Sequence, residues 1–276
     1  MPWGRKIWAE RSQRGVEEIF ALGRGPMVSL QSVVAYLNEY LALDQVADYP
    51  QAMNGLQIQN GGVVSKIVAA VDACESVFLD AATLGANFLI VHHGLFWNPG
   101  PLTGALYRKV RVAMEHDLAV YSAHLPLDVH PQVGNNAVLA KELGLKKIQP
   151  FLSLRGQDVG LRGEVTCSLH QLARRLEKAL DGAPHLCAGG PSQPRKVGVV
   201  TGAAGSEVAR AAAEGVDTLI TGEGPHWSYT LAEELGVNVF YGGHYATETF
   251  GVKALAAHLS EKFGLPWEFL SHPTGL

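Results

Sequence analysis

From Met27 onward, apolar positions switch regularly between helical spacing and short unbroken runs. LQSVVAYLNEYL (30–41) carries its apolar side chains at helical period, with Ser29 standing where an N-cap belongs. NGLQIQNG reads as a short strand between turn residues, and KIVAAVD as a continuous apolar strand covered on both faces. ESVFLDAATLG predicts a helix ended by a glycine at its C′ position, followed by strand NFLIVHH. TGALYRKVRVAMEHD is a helix, LAVYSAH a strand, and NNAVLAKELG a helix stopped by Gly144. The pattern loosens over 145–165 until VGLRGEV, a strand that opens a second series. Helix SLHQLARRLEKAL, strand KVGVV, helix SEVARAAAEG, strand TLIT and a helix around 226–235 follow. Strand VNVFY, a helix over 248–263 and a last strand near WEFL complete it. Strands alternating with helices of about ten residues predict an α/β fold of βαβ units with right-handed crossovers.

The two series repeat each other. Residues 66–97 align without a gap onto 196–227, and ten of the 32 positions are identical. YSAHLPLD (121–128) matches YGGHYATE (241–248). The chain therefore reads as an N-terminal extension (1–26) and two similar α/β halves (27–150 and 151–276). Ligands of such folds gather at the carboxyl ends of strands. The duplication predicts a site in the cleft between the halves, where His92, His93 and His124 end strands, as do Glu223 and His244.

Composition narrows the class. Net charge of −4 and a pI near 6.3 give no basic surface for nucleic acid or an anionic membrane. The apolar runs are strand-length, short of the ~20 residues of a membrane span. Cys74, Cys167 and Cys187 form no C-x-x-C, so neither a disulfide framework nor a cysteine zinc site is expected, and a reducing cytoplasm fits. Residues 1–26 carry five Arg/Lys and no long apolar stretch, unlike a signal peptide.

The chemistry-bearing residues lie at the strand ends. His92-His93 follows NFLIV, and a turn there would let both imidazoles converge. His124-x-x-x-Asp128 and His244-x-x-x-Glu248 occupy matching places in the repeat. Each has a plain reading as well. Adjacent histidines occur by chance on surfaces, and a carboxylate in a first helical turn favours the helix N-terminus without binding anything. The duplication and the matching His-x-x-x-acid pairs favour metal, and imidazole with carboxylate suits zinc, iron(II), manganese or nickel. A pair of such ions ~3.5–4 Å apart activates water and clamps both oxygens of a displacement. TGAAG (201–205) follows a strand but is not G-x-G-x-x-G, so no dinucleotide site is expected. Glu223 and His226 are expected to face the cleft, Trp97 and Trp227 to serve packing, and His116 and His130 to play ordinary roles.

HHGLFW, AHLPLDVHPQVGNNA and TGE…GGHYATETFG, in that order, closely resemble the Nif-three-like dinuclear-metal family, whose members are labelled GTP cyclohydrolase I type 2 homologues. The likeness covers about residues 27–276, in the compact form without a domain inserted between the halves. It implies two divalent transition-metal ions held by His92, His93, Asp128, His244 and Glu248, with Glu248 bridging, and a homohexameric ring with the sites facing its cavity. Many members have Trp-Asp-Asn before Gly-Leu-Gln where this chain reads Ala52-Met53-Asn54, which removes an acidic group there. The implied activity is a metal-dependent hydrolase acting on a small molecule, a nucleotide being one class, with His124 or Glu223 moving protons. A non-catalytic protein that binds or delivers metal, or a ring scaffold, is the alternative.

Overall fold

The computed structural model describes residues 26–98, 100–154 and 156–276. The extension read at 1–26 lies, except for Pro26, outside them. The first lobe opens with β1 (Val28–Ser29), α1 (Leu30–Tyr40), β2 (Gly55–Ile58), β3 (Val63–Val64), β4 (Ile67–Asp72) and α2 (Glu75–Thr83). It continues through β5 (Phe88–His93), α3 (Gly104–Glu115), β6 (Ala119–Ser122), the single turn α4 (Leu125–Asp128) and α5 (Asn135–Glu142). The second lobe contains β7 (Lys146–Leu154), β8 (Gln157–Glu164), α6 (Leu169–Leu180), β9 (His185–Ala188), β10 (Lys196–Val200) and α7 (Val208–Ala213). Then come β11 (Thr218–Thr221), α8 (His226–Leu235), β12 (Asn238–Tyr241), α9 (His244–Thr247), α10 (Thr249–Phe263) and β13 (Trp267–Phe269).

The duplication is visible as two parallel cores, β4-β5-β6 and β10-β11-β12, each built by βαβ crossovers. The first sheet has the order β13-β4-β5-β6-β2 and the second β7-β8-β10-β11-β12-β9. Antiparallel strands flank both: β2 beside β6, β8 beside β10 and β9 beside β12. The sheets do not part at residue 150. β7 begins at Lys146 in the second sheet, and β13 returns from the end of the chain to pair with β4 in the first. The loosened sequence over 145–165 is the β7–β8 hairpin, whose outer strand exposes residues 146–150 and therefore shows no clean alternation.

Burial on both faces explains the unbroken apolar strands. Ile67, Ala69 and Val71 of β4 turn towards α1 and α10, while Val68 and Ala70 turn towards α2 and α3. In the second sheet Val197 and Val199 face α5 and α6, and Val200 and Leu219 face α7 and α8. Helix α10 thus belongs by sequence to the second copy and by packing to the first lobe, where Val252, Leu255 and Leu259 complete the core. No helix among the described residues is long and apolar enough to cross a membrane.

The lobes meet at a pair of buried amides at the start of α5. Asn135 Nδ2 donates to Asp128 Oδ1 at 2.8 Å, and its Oδ1 accepts from Gly251 N at 2.6 Å. Asn136 Nδ2 donates to Asp128 O at 3.1 Å and Val159 O at 2.9 Å, while its Oδ1 accepts from Thr201 N at 2.9 Å. Asn136→Ala leaves the Thr201 amide and the Val159 carbonyl without that partner in the interior, at about 1–3 kcal/mol for each unsatisfied group. Its urea midpoint should fall by the equivalent of about 3 kcal/mol with an unchanged m-value. A change of less than about 0.5 kcal/mol, typical of a surface substitution, would show that the amide does not hold the lobes together.

Candidate metal centre

Both lobes deliver their chemistry at strand ends. His92 and His93 close β5, with ring centroids 4.7 Å apart although neighbouring strand residues ordinarily diverge. His124 follows β6 and caps the turn α4, which ends on Asp128. After β12 the chain turns at Gly242-Gly243, the latter at φ 92°, and His244 opens α9. Glu248 lies between α9 and α10, where the chain crosses from the second lobe to the first.

Their donor atoms converge in three overlapping groups: His92, His93 and His124; His93, His244 and Glu248; and His92, Asp128 and Glu248. Within each group the atoms lie within 4.8 Å of one another. The five residues expected to bind metal are thus brought together, and His124 joins them. Glu223 supports the cluster from outside: its Oε1 lies 2.7 Å from His244 Nδ1. His226 is exposed and Trp227 half-exposed, and neither lines the cleft beside the cluster. Trp97 stands edge-on to the His124 ring, with centroids 4.8 Å apart. His130 is structural, with Nε2 donating to Tyr40 O and Nδ1 accepting from Val133 N.

The hydrogen bonds fix the tautomers. His92 Nδ1 lies 2.8 Å from Ala123 O and His93 Nδ1 2.8 Å from Asp72 Oδ1. His124 Nδ1 lies 2.9 Å from Asp48 Oδ1. With Glu223 on His244, every partner is an acceptor, so each Nδ1 carries a proton and each ring, when neutral, turns the lone pair of Nε2 inward. Those lone pairs meet carboxylates. His92 Nε2 is 3.5 Å from both Asp128 Oδ2 and Glu248 Oε1. Glu248 Oε2 is 3.2 Å from His93 Nε2 and 3.1 Å from His244 Nε2. With the rings neutral, acceptor faces acceptor, and among the described residues His92 Nε2 and Glu248 Oε2 are buried with no hydrogen-bond partner. Such a site calls for positive charge between its donors, and a divalent ion bound by imidazole and carboxylate fits.

The electrostatics show the same demand. Burial alone would suppress the His92 imidazolium, but the Asp128 and Glu248 charges outweigh it and push the pKa up to about 10. The Glu248 carboxylate against its Nε2 raises His244 to about 9 against the pull of burial, with Glu223 assisting. Burial works to raise Glu248 as well, yet the surrounding imidazoles hold it well below the usual carboxylate range. Asp128 goes the other way, raised chiefly by burial. The backbone makes room for this packing. A Cβ on Gly202 would come within 2.3 Å of Glu248 Oε1, and its φ of +70° suits glycine in any case.

Sequence reasoning missed two supports, Asp72 and Asp48. Asp72 ends β4 and pairs in register with His93, a relation readable only once the parallel pairing is known. Asp48 lies in the irregular segment between α1 and β2, and its Oδ2 also accepts from Leu125 N at 3.0 Å and Asn54 Nδ2 at 2.8 Å. The acidic group that seemed missing beside Asn54 therefore reaches the site from six residues upstream. A cleft of about 700 Å³ opens over His93, His124 and Glu248, walled by Tyr49, Trp97 and the turn at 203–204.

In chelator-treated protein, the charged imidazole–carboxylate cluster contributes stability that is complete below the unfolded histidine value of 6.5. That contribution is lost as pH rises through about 9 and about 10, the raised values of His244 and His92. The melting temperature should fall across that window. Glu248→Gln, which removes the charge that raises both groups, should flatten the slope. A wild-type profile that is level from pH 6.5 to 10 would contradict this electrostatic picture.

Known proteins share both the sequence and the architecture. A family model described as Duf34/NIF3 (NGG1p interacting factor 3) matches residues 28–274. A Deinococcus radiodurans protein named GTP cyclohydrolase 1 type 2 homolog is 43% identical over 258 residues, covering 92% of this chain and 97% of its own. A Halobacterium salinarum relative of the same name is 40% identical over 256 residues, covering 90% of this chain and 100% of its own. Among solved structures, TTHA1606 from Thermus thermophilus is 43% identical with a TM-score of 0.84, covering 90% of this chain and 100% of that one. Reduced HcgD from Methanocaldococcus jannaschii is 27% identical with a TM-score of 0.80, covering 89% and 99%. With its two-lobed α/β fold and a match running nearly end to end, the chain belongs to the DUF34/NIF3 family.

Proposed function

We propose that the cluster holds two divalent transition-metal ions (zinc, iron, manganese or nickel) and that the cleft above it is the site of a metal-dependent hydrolase. The carrying observation is the division of labour within Glu248. Its Oε1 faces His92, beside Asp128, while its Oε2 faces His93 and His244. One carboxylate so placed would bridge two ions. When bound, such a pair lowers the pKa of water and neutralises charge developing on a substrate oxygen.

The residues take distinct parts in this reading. His92, Asp128 and Glu248 Oε1 would hold one ion, and His124, whose ring lies nearer His92 (4.9 Å between centroids) than His93 (5.7 Å), would join them, since Asp48 occupies its Nδ1 and leaves Nε2 to offer. His93, His244 and Glu248 Oε2 would hold the other with three donors, the count typical of a catalytic site that keeps a position for water or substrate. Glu223 orients His244, and its half-exposed carboxylate remains placed to exchange protons with solvent. The cleft offers the rings of Tyr49 and Trp97 and the amides of Gln51 and Asn98, surfaces suited to a flat polar heterocycle. The name carried by the relatives brings a nucleotide into the same class.

Natively purified protein should contain close to two transition-metal ions per chain, retained at neutral pH and lost below about pH 5, where protons displace the metal from imidazole. Glu248→Gln should lose at least one ion with the fold intact, and exposed His116→Ala should keep both. Less than half an equivalent of metal, with none taken up on dialysis, would refute the centre. Loaded wild-type protein should hydrolyse at least one member of a panel containing purine nucleotides and cyclic amides. Turnover of none, together with transfer of metal to an acceptor protein, would favour the delivery role.

The family resemblance extends the proposal to a homohexameric ring whose cavity the sites face. Light scattering at micromolar concentration should then report about six times the 29.6 kDa chain mass, and thermal stability should rise with protein concentration. A stable monomer would remove the cavity from the mechanism.

A further inference from the structure

One side chain spans the mouth of the cleft. Gln157, the first residue of β8 in the second lobe, uses both ends of its amide on a single residue of the first. Its Oε1 accepts from Ala47 N at 2.9 Å, and its Nε2 donates to Ala47 O at 2.5 Å. This is the exchange of N–H and C=O that one strand makes with the next, here made by a side chain. The residue it grips has a particular neighbour. Asp48 follows Ala47, and its oxygens lie 2.9 and 3.2 Å from His124 Nδ1. The segment carrying both, 44–53, contains neither helix nor strand and is largely exposed, although Ala47, Tyr49 and Gln51 line the cleft. Its path is set by attachments such as these rather than by regular structure of its own.

We propose that Gln157 is a positioning residue, a clasp from the second lobe that fixes residues 44–53 over the cleft and, through Asp48, aims His124 at the metal. The inference rests on the reading of His124 as a donor to a bound ion. A residue held at both its N–H and its C=O has the peptide units on either side of it fixed and loses most of its freedom in φ and ψ, so the Asp48 carboxylate is delivered to one place. Asp48 then sets both the tautomer and the direction of the His124 ring. Without the clasp, Asp48 keeps its bonds to Asn54 and Leu125 but gains slack, and His124 gains it too. Because Gln157 also lines the cleft, a molecule seated there pushes on the same linkage, which ties the separation of the lobes to the coordination of one ion and not of the other.

The test is stepwise cobalt(II) titration of the metal-free, full-length chain, followed by visible absorption. Wild-type protein should take up two equivalents. Gln157→Ala should bind one of them about 10-fold more weakly, the lower end of the effect of disturbing a ligand's hydrogen-bonded support, with a shifted absorption band for that ion. The other ion should keep its wild-type affinity. Gln157→Glu retains the acceptor for Ala47 N and loses the donor to Ala47 O, so it should fall between; it also serves if the alanine variant does not fold. Asp48→Ala should weaken the same ion more strongly. Wild-type affinity and spectrum for both ions in the Gln157 variants would overturn the proposal, even with a lowered melting temperature, since the clasp would then only stabilise the fold. Failure of wild-type protein to bind cobalt(II) would instead bring down the metal reading itself, and this inference with it.

Discussion

A carboxylate buried where two lobes meet is the constraint around which this molecule is organised. Glu248 is 3% exposed, and removing such an anion from water costs several kcal/mol unless positive charge answers it. The imidazoles that face it come from both lobes: His92 and His93 at a strand end of the first, and His244 from the second. Glu248 can face donors of both because it lies at the crossing, with α9 behind it on the second sheet and α10 ahead of it on the first. Gly202 at its side, Asn135 on Asp128 and Asn136 on the neighbouring backbone are then required by close packing around a charge.

Duplication supplied the framework, and divergence supplied the chemistry. Where β5 ends in His92-His93, the matching end of β11 continues into Gly222-Glu223. A side chain at Gly222 would meet the backbone of His244 at 2.7 Å, so the place of His92 is filled in the second copy by the chain itself. Glu223, at the place of His93, aligns a histidine instead of offering one. The pairs four residues apart kept their character in both copies, giving Asp128 and Glu248. One copy thus provides three imidazoles and the Asp128 carboxylate, the other a single imidazole and the Glu248 carboxylate, so the two copies contribute unequally to the cluster.

Much of this could be read from the sequence because it is local or repeated. The parallel cores follow from unbroken apolar runs such as KIVAAVD, and the donors from His-x-x-x-acid pairs at strand ends, where chain direction alone decides which end holds ligands. What escaped depends on distant pairing or on irregular backbone. Asp72 supports His93 only through the register of β4 against β5. Asp48 lies in a turn-rich segment with no period to align it. Of the β7–β8 hairpin only β8 was legible, as VGLRGEV; β7 hid because its exposed residues lack an alternating pattern. The return of β13 to the first sheet left no trace in WEFL, which is as good a strand for either sheet. His124 was recognised as chemically important but expected to move protons; only the contact with Asp48 shows which of its nitrogens faces the cluster.

That return has a consequence for how the protein is made. The second sheet draws its strands from one continuous stretch, β7 to β12, so all of them are synthesised before α10. The first sheet cannot finish on the same schedule. Its edge beside β4 waits for β13, and the apolar face formed by Ile67, Ile90 and Tyr121 waits for Val252, Leu255 and Leu259. During synthesis the earlier-made lobe therefore stays open while the later one closes. An unpaired parallel strand and an uncovered face are the features that invite association between nascent chains. Interrupted translation past β12 would leave a finished second sheet tethered to a first that is still adhesive, and the nascent chain needs protection most in the interval before its last helix arrives.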